Sequence, residues 1–251
     1  TRPGKCFRLY SKEDYQSMND YPIPDILISN LSQTILDLLE VAARYYENPV
    51  GNIMKLMEQL IDVPSKPFIK AGMNELALLG ILEEKRISNL GKLIMDTGIS
   101  PPGLAKSYVY AQILGLESKV LPYVTLMFKI KKIDDIFSGL SKDDMESYRK
   151  KQKWIFDKVE CDDFAIIKTI MDKAMKIKES DLLKWCIEYN LNYANISTSI
   201  KEYYKNIKNL DKIERLIEYE AVKDDVTKEA KLSKSKEEFI TFCSIYYNVA
   251  Y

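Results

Sequence analysis

The chain has 251 residues, 46% apolar and 29% charged, with 37 basic residues matched by 37 acidic ones. This length suggests one large or two modest domains at about 150 residues each, and the composition is sufficient to bury a core. Histidine is absent, which excludes Ser-His-Asp and Cys-His nucleophile systems and histidine-containing metal sites, while a net charge of zero confines nucleic-acid contact to local patches.

Gly and Pro number nine each, well under their usual joint share of about 12%, and so few punctuators favour helix over sheet. Cys6, Cys161, Cys186 and Cys243 form no C-x-x-C pair, so reduced thiols are expected rather than a zinc site or a disulfide framework. The longest mostly apolar run, Val120 to Phe128, contains Pro122 and is far shorter than the roughly 20 residues that span a bilayer. The sequence opens at Thr1 without a signal-like segment and reads as a piece of something larger.

In chain order, Pro3-Gly4 is a turn signal and Lys5 to Tyr10 reads as one strand in need of a partner. Ser11 to Asp20 is polar, and Tyr21 to Asp25, with two prolines, is an extended linker. From Asn30 the period becomes 3.6: Leu31, Ile35, Leu38, Leu39 and Ala42 share a face, with Ser29 or Asn30 as cap. A second helix is expected over Ile53 to Leu60. A third runs from Ser65 to Leu79, with Phe68, Ala71 or Gly72, Leu76 and Leu79 inward and Gly80 as its stop. Ile81 to Ser88 forms two short strand-like pieces around a charged tip, and three helices followed by a hairpin is the order of a winged-helix domain. Beyond Pro101-Pro102 the expectation is helix almost throughout: Leu104–Leu114, Leu116–Phe128, Lys142–Val159, Phe164–Met175, Asp181–Tyr189, Ile196–Leu210 and Glu237–Tyr251. Residues 211–236, poor in large apolar side chains after Tyr219, read as a surface excursion or loop.

These signals, in this order, resemble the C-terminal part of the DEAH-box family of ATP-dependent RNA helicases. Thr1 to Tyr10 looks like the segment directly after the family's Q-R-x-G-R-x-G-R motif. Pro24-Asp25-Ile26 with Asn30-Leu31 is similar to P-E-I-x-R-x-N-L, and Leu79-Gly80-Ile81-Leu82 to L-G-A-L. Ser88-Asn89-Leu90-Gly91 with Met95 resembles L-T-x-L-G-x-x-M, and Lys106 falls where the family has a Lys after D-P. Glu117 and Met127 match E-x-L-x-I-x-x-M-L. Trp185-Cys186, Glu188 and Leu191-Asn192-Tyr193 resemble W-C-x-E-N-F-L-N-Y.

The resemblance implies a mainly α fold: a winged-helix domain followed by an all-helical ratchet bundle, with an N-terminal strand left over from a RecA-like domain. The corresponding division is 1–20 for the end of the second RecA-like domain, 21–100 for the winged helix and 101–210 for the ratchet. Residues 211–251 are a loop and a helix leading to an OB-fold. It also implies a role in forming the single-stranded RNA channel for 3′-to-5′ translocation and unwinding. ATP and Mg²⁺ belong to the parent protein rather than to these residues, because the sequence contains no G-x-x-x-x-G-K-[ST] loop, D-E-x-H motif or Q-R-x-G-R-x-G-R. Partners implied are single-stranded RNA, RecA-like domains upstream, an OB-fold downstream and a G-patch-type activator docking on the winged helix. No membrane is involved, and the location is intracellular, in cytoplasm or nucleus.

Departures from the pattern are informative. The family's Arg in P-E-I-x-R is Ile28, and its Arg-rich stretch after L-N-Y is Ala194 to Ser199. Divergence with heavy Lys, Ile, Asn and Tyr usage suggests a fast-evolving, AT-rich genome such as a viral one, which would place the protein in a host cell or virion.

The densest basic patch is Tyr148-Arg149-Lys150-Lys151-Gln152-Lys153-Trp154, where Arg149, Lys150, Lys151 and Lys153 could neutralise phosphates and the flanking rings stack on bases. The competing reading is a solvated helix face with Trp154 in the core. Asn192 and Tyr193, placed by the resemblance, line the channel or serve as core and cap. Trp185-Cys186 reads as helix packing rather than a reactive thiol. The pairs Asp134-Asp135, Asp143-Asp144 and Asp224-Asp225 are surface charge rather than acid/base machinery, since sequential neighbours point to different faces. No catalytic or metal-ligating residue is assigned. Two rival functions stay in view: a winged-helix module binding duplex nucleic acid, for which Ser65 to Leu79 offers only Lys66 and Lys70, and a helical interaction scaffold, which leaves the opening strand unexplained.

Overall fold

The computed structural model of the chain describes residues 7, 9–19, 21–138, 153–155, 163–210, 216–231, 233 and 235–241. The strand expected over Lys5–Tyr10 lies largely outside them. Phe7 and Leu9, 81% and 97% exposed, join no ladder. Helix α1 (Lys12–Ser17) is a surface turn closed by a capping box: the Ser11 hydroxyl accepts from the Asp14 N–H at 3.0 Å and the Asp14 carboxylate accepts from the Ser11 N–H at 3.1 Å. Hydrogen bonds from Ser11 hold the Asp14 carboxyl below its usual pKa.

Three helices pack next. α2 (Ser32–Ala42) follows Asn30, whose Oδ1 accepts from the Ser32 N–H at 2.7 Å, and turns Ile35, Leu36, Leu39 and Ala42 inward. α3 (Pro49–Met57) has Pro in its first turn and Asn48 as N-cap, Oδ1 accepting from the Gly51 N–H at 2.8 Å. α4 (Lys66–Leu78) buries Ile69, Gly72 and Leu76 against α2. Phe68, expected inward, is instead 49% exposed. Ile69, one residue and 100° further round, takes the core position, because the spacing 69, 72, 76 fits the helix period as well as 68, 72, 76 does. At Gly72 a β-carbon would stand 2.8 Å from Ile35 Cδ1 and 3.2 Å from the Leu31 carbonyl carbon, so glycine lets the two helices touch.

Gly80, at φ +73, ends the α4 turn. The chain doubles back over residues 81–88: the Ser88 N–H donates to the Ile81 carbonyl and the Glu83 N–H to the Arg86 carbonyl, both at 2.9 Å, with Leu82 and Ile87 bridged. The hairpin is thus a single antiparallel bridge. α5 (Asn89–Thr97), an element absent from the sequence-based expectations, follows at once. Ser88 caps it by accepting from the Gly91 N–H at 2.9 Å, and Gly98 closes it at φ +59.

The rest of the described residues are almost wholly helical, as expected. α6 (Pro102–Leu114) is buried from Pro102 to Ala111 and ends at Gly115, φ +66. It packs on α7 (Glu117–Lys129), where Tyr108 is fully buried with its hydroxyl 2.7 Å from Thr125 Oγ1. Since Thr125 donates to the Leu121 carbonyl at 2.7 Å, Tyr108 is the donor of that pair. α8 (Asp163–Ala174) lies on α7; α9 (Glu179–Glu188) and α10 (Tyr193–Leu210) follow, α10 running along α7 and α6. Of the helix expected over Lys142–Val159, only the helical residues 153–155 fall within the described set.

Residues 216–230 correct the expectation of a loop: they form α11 (Leu216–Ala230), seated on α5 and α6. Val222, Val226 and Ala230 recur every four residues and are buried. Small apolar residues suffice there because the surfaces they cover are close. α12 (Lys236–Thr241) closes over α6 and α7, with Thr241 Oγ1 2.9 Å from the Tyr123 hydroxyl. One continuous apolar cluster runs from Leu31 to Ile240. No helix among the described residues is long and apolar enough to cross a membrane.

Candidate nucleic-acid interface

Asn192 and Tyr193 sit at the start of α10, held by a short extended pairing of residues 136–138 with 190–192. Asn190 adopts φ 53, a left-handed conformation that Asn tolerates, and turns the chain out of α9. Ser138 N–H then donates to the Asn190 carbonyl at 2.9 Å and Asn192 N–H to the Ile136 carbonyl at 2.6 Å, with Phe137 and Leu191 bridged. The residues around 136 are fixed in turn by Asp135, whose Oδ2 accepts from the Lys131 and Lys132 N–H groups at 3.0 and 3.2 Å. Asn195 Nδ2 donates to the Asp135 carbonyl at 2.8 Å.

Within this frame Asn192 caps α10: its Oδ1 accepts from the Asn195 N–H at 3.2 Å and its carbonyl from the Ile196 N–H at 3.1 Å. Tyr193, half-buried, is the first residue of the helix and lines a half-open pocket of 240 Å³ between the α8–α9 turn and α10. Met175, Ile177, Leu182 and Ile200 supply apolar walls, and Glu179, Ser197, Lys201 and Tyr204 the polar and aromatic ones. Lys201 Nζ stands 3.7 Å from a Glu179 carboxylate oxygen, and both side chains are largely exposed.

Of the basic patch, Arg149, Lys150 and Lys151 lie outside the described residues. Lys153 is exposed. Trp154 is a packing residue. Its ring meets Trp185 at 6.3 Å and Tyr189 edge-on at 5.7 Å, and Lys173 Nζ lies 3.5 Å from its centroid. The expected patch and the Asn192-Tyr193 pair are therefore linked through α9, which carries Trp185 and leads through Tyr189 into Asn192.

Cys186, on the same helix, is fully buried, and loss of solvation pushes its thiol up to about 11, as packing rather than reactivity requires. Lys106, which the resemblance aligns with a family lysine, is 5% exposed with its ammonium 5.1 Å from the Tyr110 ring. Asp134 and Asp225 face Lys132 and Lys228 on the surface at 3.9 and 4.0 Å; the pair Asp143-Asp144 lies outside the described residues.

Sequence reasoning missed the α10 face as a unit. Tyr193, Ser197, Ile200, Tyr204 and Lys208 follow one another at three- and four-residue steps, with Lys201 beside them, so one stripe carries pocket wall, ring and ammonium groups. The spacing is visible in the sequence once the helix start is placed at Tyr193. A larger groove of 630 Å³ between α2, the hairpin and α5 is charge-balanced: Arg44 faces Glu40 at 3.4 Å and Arg86 faces Glu83 at 2.6 Å.

No family model matches the chain. It is 27% identical over 190 residues to the pre-mRNA-splicing factor ATP-dependent RNA helicase prp22 of Schizosaccharomyces pombe, covering 75% of this chain and 15% of that protein. ATP-dependent RNA helicase DEAH12, chloroplastic, of Arabidopsis thaliana is 27% identical over 198 residues, 76% of this chain and 10% of its own. A putative ATP-dependent RNA helicase of Acanthamoeba polyphaga mimivirus is 29% identical over 89 residues, 35% of this chain and 12% of its own. The chain thus spans 15% or less of these relatives' lengths. With motif-like segments from Pro24 to Tyr193 in the family's order, and with matches that run over three quarters of its length, the chain is a divergent relative of the DEAH-box ATP-dependent RNA helicases.

Proposed function

We propose that this chain is the winged-helix and ratchet region of an ATP-dependent RNA helicase that grips single-stranded RNA during 3′-to-5′ translocation. The similarity to helicases over three quarters of the chain carries the reading. In it, residues 21–100 are the winged helix and 101–210 the ratchet. Residues 1–20 end a RecA-like domain, and 211–251 lead to an OB-fold. α11 takes up much of that last segment and packs back on α5 and α6, so the passage includes a docked helix rather than a plain loop.

In this reading ATP and Mg²⁺ are held elsewhere in the parent helicase, a reading supported by the lack of a glycine-rich phosphate loop in this sequence. Hydrolysis belongs to the RecA-like domains of the parent helicase, and the role of this chain is to bind and orient the strand those domains pull. Lys153, Asn192 and Tyr193, together with Arg149, Lys150 and Lys151, are the proposed RNA-facing residues. A G-patch-type activator on residues 21–100 and a cytoplasmic or nuclear setting, in a host cell if the source is viral, complete the reading.

A duplex-reading winged helix is less well supported. α4, its recognition helix in that case, presents only Lys66 and Lys70 as cations. The test is ATP hydrolysis by the full-length helicase with and without single-stranded RNA, beside a version lacking residues 101–251. Stimulation that disappears with the deletion is expected. Stimulation indifferent to the deletion, or no hydrolysis by the full-length protein, would sink the motor role of these residues.

A further inference from the structure

We infer that the 240 Å³ pocket between the α8–α9 turn and α10 receives a single base flipped out of single-stranded RNA, stacked on Tyr204, with phosphates on either side held by lysines; this rests on the RNA-gripping function above. Size sets the first constraint. The cavity falls below the about 300–1,000 Å³ of drug-sized sites, so it suits one flat ring system rather than an extended ligand. Its floor is apolar, with Leu182 nearly fully buried, and Ile177 and Ile200 half-buried beside it. At the rim stands Tyr204, 52% exposed although it is a large ring, and tilted against the Tyr203 ring at 5.0 Å. Ser197 and Glu179 supply a hydroxyl and a carboxylate for the edge of a base.

Charge decides between a base and an apolar protein side chain. Lys201 lies at the rim, and Lys208 two turns along the same stripe, about 10 Å away at 1.5 Å per residue. Lys205 is exposed beside Tyr204. Lys176 and Lys178 are exposed in the turn whose Met175, Ile177 and Glu179 form the opposite wall. An apolar slot with one exposed ring, whose lining Lys201 and Glu179 face each other at 3.7 Å and whose two walls carry exposed Lys176, Lys178, Lys205 and Lys208 against Asp181 and Glu202 as the other carboxylates on those segments, keeps a positive balance that complements a base attached to phosphates better than it does an uncharged anchor.

The experiment measures binding of a fluorescein-labelled twelve-nucleotide oligoadenylate, and of an abasic sugar-phosphate oligomer of the same length, to the full 251-residue chain. Tyr204→Ala is expected to weaken oligoadenylate about fivefold or more, the loss of one stacked base, while Tyr204→Phe binds as the parent does. The abasic oligomer should bind weakly to all three. Lys201→Glu with Lys208→Glu should flatten the slope of log affinity against log salt by about 0.7 for each phosphate no longer neutralised. If Tyr204→Ala binds as the parent does, or the abasic oligomer binds as well as oligoadenylate, the base pocket is overturned while the RNA-gripping reading stands, and the slot is left for a protein side chain. If the unaltered chain binds no RNA, both fall together.

Discussion

Gly91 shows how little room a single residue has in this fold. A β-carbon there would stand 2.5 Å from the Ile81 carbonyl oxygen and 2.6 Å from Ile87 Cγ2. The first of these neighbours is backbone, which cannot swing aside, so α5 rests on the hairpin only because position 91 has no side chain. Gly91→Ala is expected to cost about 1–3 kcal/mol by overpacking, read as a lower urea midpoint with an unchanged slope. A midpoint equal to the parent's would show that hairpin and helix separate freely. Ser88 completes the joint: its hydroxyl donates to the Gly80 carbonyl at 2.6 Å and accepts from the Gly91 N–H at 2.9 Å. The sequence marks this corner only as a family-like Ser-Asn-Leu-Gly. Why glycine is needed there emerges from the approach of Ile81, ten residues earlier in the chain.

Among the elements, α11 is the one whose existence periodicity should have announced and composition concealed. Val222, Val226 and Ala230 form a narrow stripe of small residues in a segment rich in Lys, Asp and Glu, and a criterion of large apolar side chains passes over it. Its seat is supplied by α5 and α6, about a hundred residues or more upstream, which local patterning cannot report. Lys92 Nζ meets Glu218 Oε1 at 3.4 Å, an ion pair half in solvent that aligns the helix more than it stabilises it. Val226→Ala is expected to lower stability by about 1–3 kcal/mol through lost burial and the cavity left behind, and to raise the rate of proteolytic cutting between residues 216 and 230. An unaltered cutting rate would mean that α11 is held by something other than this face. By contrast, the helices on either side of Gly115 are legible because both are broadly apolar and the glycine between them marks where the first one stops. The Tyr193 start of α10 is not, because its cap, Asn192, is set by a pairing with residues 136–138 that no local signal foretells. For the same reason the candidate site was half legible: Asn192 and Tyr193 came from the family-like motif, whereas the pocket beside them is made by a turn from another part of the chain.

At the scale of the whole molecule, the shared core has a titration signature. Burial raises the pKa of the Tyr108, Tyr123, Tyr203 and Tyr219 phenols, and pushes the Cys186 thiol up to about 11. Each group is protonated in the folded state at a pH where the unfolded chain would already have released its proton. Their contribution is therefore complete below the unfolded values, 9.0 for the thiol and 10.0 for the phenols, and is lost as pH climbs from there toward the folded ones. Thermal midpoints are expected to hold up to about pH 9 and then fall steeply, with the exposed tyrosines ionising first and the last part of the tyrosinate absorbance, that of the buried rings, appearing together with the loss of helical circular dichroism. Tyrosinate that appears fully before the helix signal changes would show these rings to be open to solvent.

The long reach of α11 back to α5 also has a consequence for synthesis. Residues 89–97 leave the ribosome well over a hundred residues before 216–230 do, which at about 5–20 residues per second is a delay on the order of 6–25 s. Throughout that interval the outer side of α5 has no cover from its own chain. The nascent protein therefore passes through a stage in which α2–α5 and the hairpin have formed while an apolar strip beside them waits for residues 216–230 to be made, the stage at which a holding chaperone or a second nascent copy would find it.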